Sequence, residues 1–174
     1  MNGAIVEIAV PPQCRLAPGV PSADFHDSWQ IADPRPDANA LESWLAFTAD
    51  TPAWMNALMS ARNRIVGLFG LKNLGALAPR APKPAARYAV GDRVGIFRLN
   101  ALAADEVVLG DDDKHLAVEV SLLKQRVDGQ PMLALTTVVH VHNTLGHAYM
   151  AVVGPAHRLI VPRLLRRALQ QGAR

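Results

Sequence analysis

Three of the six histidines, His115, His140 and His142, lie in two alternating apolar runs joined by Asp128-Gly129. That dipeptide favours a two-residue type I′ hairpin, because both central residues of the turn need positive φ. With such a loop Val127 faces Gln130, and counting outward sets Ala117 opposite His140 and His115 opposite His142. The three imidazoles then share one face with Glu119 diagonal to His140, a donor set suited to a shared divalent ion. Leu116, Val118, Val120 and Leu122 take the other face with Thr137, Val139 and Val141, so the apolar set belongs inside and the histidines outside. An exterior ladder lacks the dry, concave surroundings of an effective site. Packing or an interface is therefore the preferred reading. No metal site is expected, and these three histidines are the residues that would form one if the register holds.

Arg62 interrupts an apolar helical face formed by Trp54, Leu58, Ala61, Ile65 and Phe69. A guanidinium at the mouth of a cavity holds a carboxylate or phosphate bidentately. A structural ion pair with Asp27, Asp105 or Glu106 is the plainer alternative. His157, two residues after Pro155, is either a pocket acid or base or a hydrogen-bonded core group. Trp29, Trp44 and Trp54 read first as packing residues. The chain has no GxSxG elbow, no HExxH, no phosphate-binding glycine loop and no paired CxxC. Those absences lower an enzymatic assignment without excluding it. No cofactor is expected.

The elements that must position these residues follow from hydrophobic period. Residues 1–22 read as an irregular, proline-rich lead-in, and ADFHDSWQI at 23–31 as a first strand with Phe25, Asp27 and Trp29 on one side. Asp33, Pro34, Arg35 and Pro36 break it, and Asp37 or Asn39 caps a short helix to Phe47 or Thr48. Thr51-Pro52 restarts a second helix reaching Phe69, with Gly70 as its stop. Residues 72–90 read as an exposed linker loop. Strands are then predicted at 93–100, 105–110, 115–126 and 130–143, with Pro131 a potential disturbance of register. From Leu145 to Gln171 the period switches to three and four. Leu145, Tyr149, Val152, Val153, Ala156, Leu159, Ile160 and Leu164 are expected to form that helix's apolar face, with bends at Pro155 and Pro162.

A chain of 174 residues with half of them hydrophobic is one domain with a real core. Its charge of +3 and its 5% aromatic content do not suit nucleic acid, whose binders concentrate basic residues with stacking platforms. Cys14 is the only cysteine, so no internal disulfide forms and a reducing, cytoplasmic setting is expected. No signal segment or membrane span is expected either.

This order of elements resembles the helix-grip architecture of the START and polyketide-cyclase-like superfamily (SRPBCC), and more narrowly the bacterial domain-of-unknown-function family 2867. The likeness rests on ADFHDSWQI at 23–31, TPAWMNALMSARNRIVGLFGLK at 51–72, EVVLGDDDKHLAVEVSL at 106–122 and TTVVHVHNTLGHAYMAVVGPAHRLIVPRLLRR at 136–167. Ala156 and Ala117 stand where relatives usually carry phenylalanine and aspartate. The resemblance implies an α+β fold in which a curved antiparallel sheet wraps a long C-terminal helix, with two short helices after the first strand. It also implies one domain over 23–174 and an apolar cavity between sheet and helix. The expected function is binding of a small hydrophobic or amphipathic molecule in that cavity. Val118, Val120, Val139, Val141, Tyr149 and Val153 would line it with Trp54 and His157, and Arg62 would be its polar anchor. The alternatives are an enzyme of cyclase, isomerase or hydrolase type using the same pocket, and a homodimerising interaction protein.

Overall fold

The computed structural model describes residues 4–49, 52–55, 57–60 and 83–172. Seven antiparallel strands form one open, curved sheet: β1 (Val6–Glu7), β2 (Phe25–Ala32), β3 (Arg93–Val94), β4 (Phe97–Leu102), β5 (Glu106–Asp112), β6 (Leu116–Val127) and β7 (Gln130–Val141). Their spatial order is β1-β2-β7-β6-β5-β4-β3. Among the sheet's described strands, β2 and β7 are the neighbours that are not consecutive in sequence, and β3 to β7 form a meander. The α+β architecture expected from the sequence, with its long C-terminal helix, is the one observed.

The hairpin between the two longest strands sets the register. Asp128 and Gly129 have φ of 50° and 77°, so the predicted turn forms, and Val127 pairs with Gln130 and Ala117 with His140. Pro131 sits opposite Arg126 without shifting the ladder. The irregularity falls instead between Leu99 and Ala101, where β4 slips against β5. The predicted strand over 93–100 is divided in two by a turn at Gly95, whose φ of 63° suits glycine.

Helix α1 (Ala40–Ala49) begins with a reciprocal capping box: Glu42 N–H donates to Asn39 Oδ1 and Asn39 N–H to Glu42 Oε2, both at 2.9 Å. Residues 53–55 and 57–60 are helical, in line with the Thr51-Pro52 restart. Arg62, and the expected continuation of that helix to Phe69, lie outside the described residues. The C-terminal helix spans Thr144–Gly172 and runs on through Pro155 and Pro162.

The inner face of the sheet carries the main core. Ile31, Leu135, Leu122, Leu109 and Leu99 from successive strands meet Leu41 and Trp44 of α1 and Val161 and Leu165 of the C-terminal helix. Tyr88 is also buried there, so part of the predicted linker belongs to the core. The helix is turned from its expected orientation. Val152 and Leu159, assigned to the apolar face, are 74% and 61% exposed, whereas Gly146, Gly154, Val161 and Leu165 form the buried stripe. Gly154 lets the helix approach β2, where an added Cβ would stand 3.5 Å from the Phe25 ring, and Gly146 lies against the His115 carbonyl and Val141.

The outer face is covered as well. The predicted lead-in adds β1 to the sheet edge and lays Cys14 and Leu16 over Val108, Leu123, Ala134 and Val138. Beneath it Glu106 accepts bonds from Ser121 Oγ (2.6 Å) and Arg15 N–H (2.9 Å), while Arg15 Nε lies 3.4 Å from its other oxygen. Burial pushes the Cys14 thiol above its ordinary range, with the Ser121 hydrogen bond opposing the shift. The thiolate, not the thiol, attacks alkylating agents. Cys14 is therefore expected to resist iodoacetamide in the native protein at neutral pH and to react once urea unfolds it. Rapid native labelling would show that the N-terminal segment does not stay on the sheet.

Candidate functional site

Strand β2 aims Phe25, Asp27, Trp29 and Ile31 at the C-terminal helix, opposite Val139, Thr137, Leu135 and Leu133 of β7. Asp27 is the only ionisable member of those two rows, and its side chain is 0% exposed. A buried carboxylate needs partners. His157 Nδ1 donates to Asp27 Oδ2 at 3.0 Å, and Trp29 Nε1 donates to the same oxygen at 3.1 Å. A carboxylate only accepts, so the Nδ1 proton is fixed and the neutral ring presents Nε2 as an acceptor. The His157 side chain is 26% exposed, and its ring and that of Phe25 meet in a T-shaped contact at 5.6 Å between centroids. Asp27 Oδ1 is buried with no hydrogen-bond partner. Natural structures leave few such atoms, and among the described residues Trp44 Nε1 and His115 Nε2 share this state.

Along the same inner face, beyond Trp29, lies a cavity of about 290 Å³. Its apolar wall is Ile31, Leu133, Leu135 and Leu122 from the sheet, Phe47 from α1 and Leu165 from the C-terminal helix. Pro34, Arg35 and Ser43 bring polar atoms to it from the β2–α1 connection and α1. Lys124 holds that connection in place. Its Nζ lies 2.9 Å from Asp33 Oδ2 and donates to the carbonyls of Arg35 (2.7 Å) and Ala38. The cavity and the Asp27–His157 pair are neighbours in register, since Trp29 pairs with the cavity-lining Leu135 and Asp27 with Thr137.

The expected cavity residues distribute as follows. Val118, Val120 and Val139 lie on the inner face, towards the end of β6 and β7 away from the hairpin turn. Val141, Tyr149 and Val153 are half-buried around the start of the C-terminal helix, and Trp54 is 41% exposed. His157 is held by Asp27, and Arg62 lies outside the described residues. Two of the three carboxylates considered for Arg62 have partners: Asp27 holds His157 and Trp29, and Glu106 holds Arg15 and Ser121.

The histidine ladder has the predicted register but not a shared focus. His115 Nδ1 lies 3.2 Å from Asn143 Oδ1, His140 Nδ1 donates to the Ser22 carbonyl (3.2 Å), and His142 Nδ1 donates to the Asp113 carbonyl (2.9 Å). Each ring is thus turned to a different neighbour. Among the described residues no three His, Cys, Asp or Glu side chains are grouped to hold a metal ion.

Sequence reasoning missed the partnership of Asp27 with His157, although the signal was present: a lone carboxylate between two aromatics on an inward row. It also missed Ile31, Phe47, Leu133, Leu135 and Leu165 as cavity walls, because apolar residues of wall and core look alike, whereas Leu122 was on the face assigned to the inside.

A curved antiparallel sheet covered by a long C-terminal helix, with an apolar cavity and a buried aspartate paired to a half-buried histidine, defines a class of sheet-and-helix domain. The chain belongs to the family described as protein of unknown function (DUF2867), whose model matches residues 20–164. No curated protein matches it.

Proposed function

We propose that the protein binds a small hydrophobic or amphipathic molecule between the sheet and the C-terminal helix, in the manner of START-like (SRPBCC) helix-grip domains, within the cytoplasm. The observation that carries this reading is the cavity of about 290 Å³, whose walls are mostly leucine, isoleucine and phenylalanine. Ligand sites of roughly 300–1,000 Å³ with few polar groups are the common pattern, so a compact ligand suits it. A second reading, an acid–base enzyme, is favoured by one specific arrangement: Asp27 orients His157 and leaves Nε2 as an acceptor, the geometry of a general base. Such a base would take a proton from an enolisable or cyclic substrate at Nε2 and return it, with Asp27 holding the ring through Nδ1.

Fluorescence of the neutral probe N-phenyl-1-naphthylamine tests the first reading. Ala46→Leu with Ala168→Leu narrows the cavity from two lining positions that are only half-buried, so folding should survive. Wild type is expected to bind the probe, and the double variant to lose affinity at least tenfold while melting as a folded protein. Equal binding by both proteins, or none by wild type, would refute the reading. For the second reading, a panel of enolisable ketones and esters should reveal turnover that His157→Gln removes while probe binding is kept. A rate unchanged by His157→Gln ends it.

A further inference from the structure

The outward side of the C-terminal helix has its own pattern. Ala148, Val152, Pro155, Leu159, Arg163, Arg166 and Gln170 follow one another at steps of three and four, so they form one stripe, and every one of them is exposed. Its first half is apolar, with Val152 and Leu159 exposed to 74% and 61%. Its second half is cationic, and no aspartate or glutamate occurs anywhere in Thr144–Gly172. Beside the cationic half Trp54, an exposed indole, borders a cleft of about 220 Å³ together with Pro52, Arg163, Arg166, Arg167 and Gln170.

Isolated exposed apolar residues need no explanation, but aligned ones joined to arginines and a tryptophan do. Arg163 donates one Nη1 to the Leu159 carbonyl at 2.8 Å, which orients the guanidinium along the stripe. No basic residue lies in the last turn of the helix, so its dipole does not account for these arginines, nor for the apolar half or the exposed indole. We propose that this stripe, with Trp54, docks the protein peripherally on an anionic phospholipid surface. Three features select that partner. Arginines supply charge complementary to phosphate-bearing head groups, which they grip bidentately. An exposed tryptophan beside them suits the bilayer interface, where one part of the ring is dry and the N–H is wet. The apolar half supplies the shallow burial that an interfacial helix uses, and no helix among the described residues is long and apolar enough to cross a membrane. A second copy of the chain fits less well. In a symmetric pairing of this stripe the helix offers no carboxylate to receive Arg163 or Arg166 from its twin. The inference rests on the outward face alone and stands whether or not the cavity takes a ligand.

Co-sedimentation of the full chain with vesicles of phosphatidylglycerol and phosphatidylcholine, against pure phosphatidylcholine, tests it. Binding is expected to the anionic vesicles, to weaken as salt is raised, and to blue-shift a tryptophan emission that Trp54→Phe no longer shows. Arg163→Ala with Arg166→Ala should weaken binding about thirtyfold, about fivefold for each cation. Val152→Asn with Leu159→Asn should weaken it independently of salt. All substituted positions are exposed, so each variant should melt like wild type, and the melt is measured alongside. Failure to bind anionic vesicles, equal binding to both vesicle types, or undiminished binding by the arginine variant would overturn the proposal. So would a wild-type dimer in sedimentation equilibrium that Val152→Asn with Leu159→Asn splits into monomers.

Discussion

Replacing Lys124 by methionine is expected to destabilise the protein by about 3–5 kcal/mol, the range found when one partner of a buried ion pair is removed. Lys124 and Asp33 retain only 12% and 1% side-chain exposure. Methionine fills the aliphatic volume of lysine but gives no donor, so the Asp33 carboxylate keeps only the Arg35 N–H at 2.9 Å. The carbonyls of Arg35 and Ala38 lose the same ammonium. An exposed pair would be worth about 1 kcal/mol or less, so the size of the loss decides whether Lys124 is a buried clamp or a surface ornament. Urea denaturation measures it. The functional consequence is separate, because Lys124 fastens the connection that supplies Pro34 and Arg35 to the cavity and also reaches Ser43 Oγ of α1 at 3.4 Å. In native buffer the Lys124→Met protein should bind the neutral naphthylamine probe more weakly even where it remains folded. A loss below 1 kcal/mol with unchanged probe binding would show that the loop holds its place without the lysine.

Gly146→Ala should be the next most damaging single change, and its sign is informative. In a helix interior alanine is favoured over glycine by about 1 kcal/mol. Here the added Cβ would overlap the His115 carbonyl oxygen and approach Val141 Cγ1 to 2.7 Å. That carbonyl cannot yield cheaply, because it accepts the His142 N–H at 2.8 Å where the β6–β7 ladder ends. The start of the helix would have to lift, disturbing the bond from Gly146 N–H to Asn143 Oδ1 (3.1 Å). Overpacking against a well-packed core costs typically 1–3 kcal/mol, and overlap with fixed backbone belongs at the upper end. A net loss of about 2 kcal/mol is expected from these two opposing effects. Gly154→Ala is the control: its Cβ would make ordinary contact with Phe25, so it should be neutral or mildly stabilising. Chemical denaturation of the two variants side by side distinguishes packing from propensity. A Gly146→Ala protein as stable as wild type would mean that the helix does not start against the hairpin end.

How much of this was legible beforehand depends on how local the physics is. The Asp128-Gly129 turn fixed the β6–β7 register because positive φ at two successive residues is a demand that few dipeptides meet. The start of α1 was legible for a similar reason, since a cap acts within one turn: of the two candidates Asp37 and Asn39, the structure uses Asn39, in a box with Glu42. The facing of the C-terminal helix was not legible. Apolar residues occur around much of its circumference, and the choice between Leu159 and Leu165 as the buried leucine depends on which side can approach β2 most closely. Gly154 makes that approach possible, and Gly146 seats the helix start against the His115 carbonyl and Val141, but glycine contributes little to a hydrophobic pattern. The cover of the outer face was also missed. Its trace is the unbroken buried run Leu133–Val139, which does not alternate as a one-sided strand would.

By itself, then, the order of residues determined the longer strands, the meander, the terminal helix and the faces of the paired β6 and β7, because period and turn chemistry act over a few neighbours. Only the tertiary structure decided that Asp27 meets His157 across 130 positions, that the cavity opens near Leu165, and that Val152 and Leu159 face outward. Those outcomes follow from how one helix is rolled and seated on a sheet. Close packing and the need to pair a buried charge settle that rotation, and both depend on groups remote in the chain.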